Sequence, residues 1–150
     1  MPTDPHIEVS ILSRPQYLCV VRAAAREALT QLGLYDAEII KVITAVDEAV
    51  TNVIRHGYGD REDGPIRVRL WPVEQAGRTG VQIVIEDETH GVDLSKIEGR
   101  PLDEIRPGGL GVHIIRQVMD EVEYTNRPDH KGVCLKMRKY NQPAAPAQTG

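Results

Sequence analysis

Glu48 and Asn52 stand one helical turn apart in the segment Val46-Asp47-Glu48-Ala49-Val50-Thr51-Asn52. Side chains at i and i+4 leave a helix from one face. The carboxylate can take a proton, and the carboxamide can offer an oxygen to Mg²⁺, a hard cation that prefers oxygen ligands. Downstream lie an acidic strand end, Ile85-Glu86-Asp87, and a glycine cluster, Pro107-Gly108-Gly109-Leu110-Gly111. Together these pieces suit a site for a nucleoside triphosphate.

Each piece alone has a plainer explanation. A Glu and an Asn on a polar helix face are usually just solvated, and an acid after an apolar strand often only ends it. Asp87 gains meaning if it is buried. It then accepts a hydrogen bond from an exocyclic amine such as that of adenine, whereas the guanine carbonyl would leave the acid unpaired. Glycines before an apolar helix let the backbone approach phosphate oxygens, and the helix N-terminus offers free N–H groups. No Gly-Lys-Ser/Thr follows, so this is not a P-loop, and no strand-linked dinucleotide fingerprint is present. His6, His56, His90, His113 and His130 make no HxxxH or HExxH pair that would suggest zinc.

Elements must hold these residues in place. Ile7–Ile11 alternates apolar and polar and reads as a strand. Pro15 opens a helix through about Leu32, stopped by Gly33. Asp36 is the expected N-cap of a second helix running to about His56, with Gly57 ending it. At about 100° per residue, with Ile39 at zero, Ile43, Val46, Val50 and Val53 fall within roughly 40° of it and form the buried stripe. On the same wheel Glu48 lies at about 180° and Asn52 at about 220°, facing water or a ligand. Asp47, at about 80°, is off that face. His56, at about 260°, either lines the site or ends the helix.

Ile66–Trp71 and Val81–Glu86 read as strands, joined by a hairpin-like link containing Gly77 and Gly80. From Glu88 to Pro107 no period is sustained beyond a short turn at Leu94–Ile97, the pattern of a functional lid or flexible segment. Val112–Met119 is a short helix, and Glu121–Asn126 and Val133–Tyr140 are closing strands. The expected fold is α+β: a two-layer sandwich with a mixed, mostly antiparallel sheet and helices on one face. One domain spans residues 6–140, with a disordered tail over 141–150.

Composition agrees with an ordinary domain: 150 residues, 41% apolar and 27% charged, with no apolar run of membrane-spanning length. The net charge of −4 disfavours nucleic acid as a partner. Cys19 and Cys134 form no CxxC pair and read as buried free thiols in a reducing cytoplasm.

The ordered set carries a resemblance. Glu48-Ala49-Val50-Thr51-Asn52-Val53-Ile54-Arg55-His56-Gly57-Tyr58, then Ile85-Glu86-Asp87, then Gly109-Leu110-Gly111 resemble the Bergerat-fold (histidine-kinase-like) ATPase superfamily. Within it the chain is most similar to the single-domain anti-sigma-factor serine/threonine kinases. The resemblance covers about residues 6–140. It implies that Glu48 is the general base, that Asn52 is the Mg²⁺ ligand in an ATP site, and that Asp87 reads the adenine amino group. Gly108, Gly109, Leu110 and Gly111 would border the phosphates at the end of the ATP lid, with Gly91 in the loop after Asp87. Arg100 and Arg106 lie in the expected lid, within reach of phosphate oxygens, though motif position does not fix them. The family usually shows Asp-x-Gly-x-Gly after the adenine-reading strand, and Thr89 stands here at the first glycine. A side chain there narrows the nucleotide pocket or alters the loop.

The implied activity is ATP-dependent phosphorylation of a small antagonist protein by an anti-sigma factor in bacterial partner switching. Partners would be that antagonist and a sigma factor, with no nucleic acid or membrane contact, and a homodimer by family analogy. A second reading is a non-catalytic, ATP-responsive regulator that sequesters a protein partner. A third is a stand-alone histidine-kinase catalytic domain, although the chain has no helix pair bearing a phospho-accepting histidine.

Overall fold

The computed structural model describes residues 4–89, 109–128 and 131–143. Its elements are β1 (Ile7–Leu12), a 3₁₀ turn (Pro15–Tyr17), α1 (Leu18–Gln31), α2 (Asp36–Asn52) and a π-helical turn (Val53–Gly57). Then follow β2 (Pro65–Gln75), β3 (Arg78–Asp87), α3 (Gly109–Val118), β4 (Glu121–Asn126) and β5 (Val133–Tyr140). The strands form one sheet in the order β1-β2-β3-β5-β4. The sequence reading allows a mixed sheet; among the described residues every pairing is antiparallel.

Period-two alternation puts Ile66, Val68 and Leu70 of β2 and Val81, Ile83 and Ile85 of β3 on one face, each at most 2% exposed. Asp87 continues that alternation and lies on the helix-covered face. The opposite face is a grid of charges: Arg69 bonds Glu8 at 3.0 Å and Glu86 at 3.1 Å, and Lys136 pairs with Glu123 at 3.2 Å. Exposed pairs contribute about 0–1 kcal/mol each, so this face owes little of its stability to them. Glu86 belongs to that grid and not to the site.

α1 stops where a Schellman motif closes it. Leu34 N–H reaches Leu29 O, Gly33 N–H reaches Thr30 O, and Gly33 sits at φ +89°. Tyr35, extended at ψ 148°, is the N-cap of α2, so the expected Asp36 cap is corrected to the first helical residue. The Tyr35 N–H instead donates to Asn141 Oδ1 at 2.7 Å. Asn141 also donates to Gly33 O and Thr79 Oγ1 and is buried, so it belongs to the folded domain and not to the expected tail, whose residues 144–150 lie outside the described residues.

The buried stripe of α2 is wider than expected. Ile39, Ile43, Val46 and Val50 are buried, but so are Glu38, Val42, Ala45 and Ala49. Two helices, α1 and α3, flank α2. The Arg22–Asp47 ion pair at 3.3 Å puts α1 on the Asp47 flank, which leaves the alanine-lined flank for α3. Glu38 is tolerated inside because Lys139, 5% exposed, lies 3.5 Å from it and 3.4 Å from Asp120. Lys41 also lies 3.5 Å from Glu38 and Asp120 also accepts the Tyr140 N–H at 2.8 Å, so removing Lys139 would cost less than the about 3–5 kcal/mol of a buried pair left with no partner.

Two further expectations need correction. Gly80 is not in the link: it lies within β3, where a Cβ would strike the Lys139 carbonyl oxygen. Cys19 is exposed, on the outward side of α1, and Cys134 is half-buried on the charged sheet face, where burial raises its thiol pKa.

The β2–β3 turn holds Ala76 at φ 53° and Gly77 at φ 77°, a type I′ geometry that suits glycine at both positions. Ala76→Gly should therefore stabilise the protein by about 1 kcal/mol, read as a rise in the urea midpoint; a fall would contradict the turn assignment. Tyr124 of β4 carries Arg116 of α3 6.0 Å above its ring, and burial pushes its hydroxyl up to about 12. The folded value exceeds the unfolded value near 10, so this contribution is intact below pH ~10 and is lost as pH rises through ~12. The stability advantage of wild type over Tyr124→Phe should shrink across that window in urea titrations; a constant difference would contradict it.

Candidate functional site

α2 carries Glu48 and Asn52 on the face the helical wheel assigns, and both are half-buried. Among the described residues neither side chain has a hydrogen bond or an ion pair. Asp47 is engaged by Arg22, as its different angle demands. Beyond Asn52 the helix widens into the π turn, closed by Tyr58 N–H on Val53 O at 2.8 Å. Such turns recur where a helix must re-aim its end. His56 is exposed on this turn.

The re-aimed end meets the tip of β3. A Cβ on Gly57 would come 2.8 Å from Thr89 Cγ2, so the glycine makes room for the threonine methyl. Thr89, 6% exposed, is turned onto Asp87: its N–H and Oγ1–H donate to Asp87 Oδ1 at 3.0 and 2.7 Å. Val133 N–H donates to the same oxygen at 3.0 Å. Arg127 Nη1 donates to the Asp87 carbonyl at 3.1 Å, and a Cβ on Gly132 would run into that carbonyl. Asp87 is thus 5% exposed and held from both sides of the sheet end. Gly57 and Asn52 are about 7 Å apart along the helix axis at ~1.5 Å per residue, which brings α2's polar face to the Asp87 end of the sheet.

Tyr58 ties these parts together. Its hydroxyl donates to Pro65 O at 2.6 Å and accepts from Glu88 N–H at 2.7 Å. Its ring lies over Gly64, whose N–H donates to Ser13 Oγ at 3.0 Å. The Ser13 hydroxyl in turn donates to Arg61 O. Burial raises the Tyr58 pKa above the ordinary tyrosine value, with Asp87 and Glu88 adding to the effect against the Glu88 N–H.

The glycine cluster departs from its expected form. Gly109, Leu110 and Gly111 form the first turn of α3 itself, so the helix starts earlier than Val112. Gly91, Gly108, Arg100, Arg106 and the Leu94–Ile97 turn lie outside the described residues.

A family model described as the histidine kinase-like ATPase domain matches residues 11–139. The chain belongs to that family. The serine-protein kinase RsbW of Oceanobacillus iheyensis is 30% identical over 148 residues, covering 93% of this chain and 89% of the relative. The anti-sigma F factor of Clostridium novyi is 34% identical over 137 residues, covering 89% and 92%. The solved RsbU and RsbW domains of a Mycobacterium tuberculosis protein superpose with a TM-score of 0.62 at 19% identity. That superposition covers 95% of this chain and 34% of that one, and it shows the shared fold.

The residues present fit the nucleotide that a histidine kinase-like ATPase domain takes. Asp87 is a buried acceptor whose Oδ1 is saturated, and among the described residues no donor sits on Oδ2. Glu48 and Asn52 offer unengaged oxygens. No cluster of three His, Cys, Asp or Glu occurs among the described residues. A single carboxamide suits Mg²⁺, which keeps waters and substrate phosphates as its other ligands.

Sequence reasoning missed Tyr58, Val133, Gly132 and Arg127 as supports of the Asp87 segment, because a hydroxyl, a backbone amide, a missing side chain and a guanidinium are brought together there only by folding. Thr89 did carry a signal, since it interrupts the family's glycine pattern. Tyr58→Phe would leave Glu88 N–H without its acceptor and Pro65 O without its donor. Unfolding in urea should show a loss of about 1–3 kcal/mol; less than half a kcal/mol would mean that water replaces both bonds.

Proposed function

We propose that this protein is an ATP- and Mg²⁺-dependent protein serine/threonine kinase acting as an anti-sigma factor in bacterial partner switching. Its substrate would be a small antagonist protein, and its inhibitory target a sigma factor. The observation that carries this reading is the unengaged Glu48–Asn52 pair on α2, beside a buried Asp87 at the end of β3. Kinship with proteins named serine-protein kinase and anti-sigma factor over about nine tenths of both lengths supports it.

In this reading Glu48 accepts the proton of the substrate hydroxyl as its oxygen bonds to the γ-phosphorus and the bond to the ADP leaving group breaks. Asn52 holds Mg²⁺ through its carboxamide oxygen. The cation, when bound, would neutralise phosphate charge. Asp87 accepts from the adenine amino group. Gly109, Leu110 and Gly111 open α3 with N–H groups free to meet phosphate oxygens, and the family resemblance adds Gly91 and Gly108 as nucleotide-binding residues. Phosphoryl transfer needs mostly positioning and charge neutralisation, and these groups supply both.

The second reading, a non-catalytic ATP-binding regulator that sequesters a protein partner, draws on Thr89 standing where the family has glycine. The Thr89 side chain lies against Asp87 and Gly57, which favours the kinase.

Glu48→Gln should lower phosphotransfer from labelled ATP to a candidate antagonist by about 10²–10⁴-fold while ATP binding stays within about twofold. Transfer at the wild-type rate would remove Glu48 as the base. A product stable to acid identifies phosphoserine or phosphothreonine; an acid-labile one would point to histidine phosphorylation.

A further inference from the structure

Asp87 Oδ1 receives three donors at 2.7–3.0 Å, and two of them belong to Thr89. A lone carboxylate rotates easily about its terminal torsion. With Oδ1 pinned by two N–H groups and one hydroxyl, that rotation is arrested, and the second oxygen is the one left for a ligand. The hydroxyl bond exists only because this chain carries threonine at position 89. The methyl, in contact with the space over Gly57, holds the threonine in the rotamer that makes the bond.

Resting on the nucleotide reading above, we propose that Thr89 is a positioning residue for base selection. Its hydroxyl pre-orients the Asp87 carboxylate so that Oδ2 meets an exocyclic amino group and rejects a carbonyl. Pre-orientation raises affinity by removing an ordering cost before the ligand arrives. It raises selectivity because an arrested carboxylate cannot turn away from a base that offers it no donor. Gly57 is the second half of the device. Its φ is not in the left-handed region, so an alanine fits the backbone and disturbs only the threonine methyl.

The test uses the full chain, with Mg·ATP and Mg·GTP titrated calorimetrically and thermal melts confirming that each variant is folded. Thr89→Val removes the hydroxyl and keeps the shape. ATP affinity and the ATP-over-GTP preference should each fall about tenfold, the size of one charge-assisted hydrogen bond. Thr89→Ser restores the hydroxyl and should return both to within about threefold of wild type. Gly57→Ala should mimic Thr89→Val in the wild-type background yet change little in the Thr89→Ser background, where no methyl is left to displace. Wild-type selectivity in Thr89→Val, or a Thr89→Ser defect as large as that of the valine, overturns the proposal. If the folded wild-type protein binds neither nucleotide, the nucleotide reading itself falls; if it binds ATP and the valine variant matches it, only the role of Thr89 does.

Discussion

One buried carboxylate organises this end of the molecule. Asp87 lies on the helix-covered face of β3, at the point where the strand runs out, and an ionised group there is costly unless its oxygens are bonded. The chain answers with donors from three segments: the Thr89 amide and hydroxyl, the Val133 amide and the Arg127 guanidinium on the neighbouring carbonyl. Those bonds determine which residues can surround the acid. Gly132 must lack a side chain, and Gly57 must leave room for Thr89.

The rest of the fold brings α2 to that acid. A sheet covered on one face only gives α2 a flat apolar floor, and α1 and α3 bracket it. The helix keeps a single polar strip, which carries Glu48 and Asn52. The π turn and Tyr58 then convert the helix end into a fixed junction with β2 and β3. In the proposed reading, chemistry on the strip and recognition at the strand end share one support, as phosphoryl transfer between two bound partners requires.

Much of this was legible in the residues. The apolar stripe of α2, the Gly33 stop and the bounds of β4 and β5 follow from periodicity and backbone preference, which act locally. What escaped is non-local. Glu38 draws no notice in the sequence, yet it is buried beside Lys139 of β5. Asn141 reads as tail until its amide spans the α1–α2 turn and Thr79. Cys19 looks buried because its neighbours are apolar, yet the helix turns it outward. The Glu48–Asn52 pair was visible as a spacing, whereas the clamp on Asp87 was not, because two of its four donors are backbone amides with no signature in residue type and the Arg127 guanidinium is 40 residues away in sequence.

The most direct test of the central claim compares wild type with Asp87→Asn in a calorimetric titration with Mg·ATP, both shown to be folded. Saturable binding of one ATP per chain by wild type, lost or weakened at least tenfold in Asp87→Asn, is the predicted result. Equal binding by the two proteins, or no binding by a folded wild type, would contradict it.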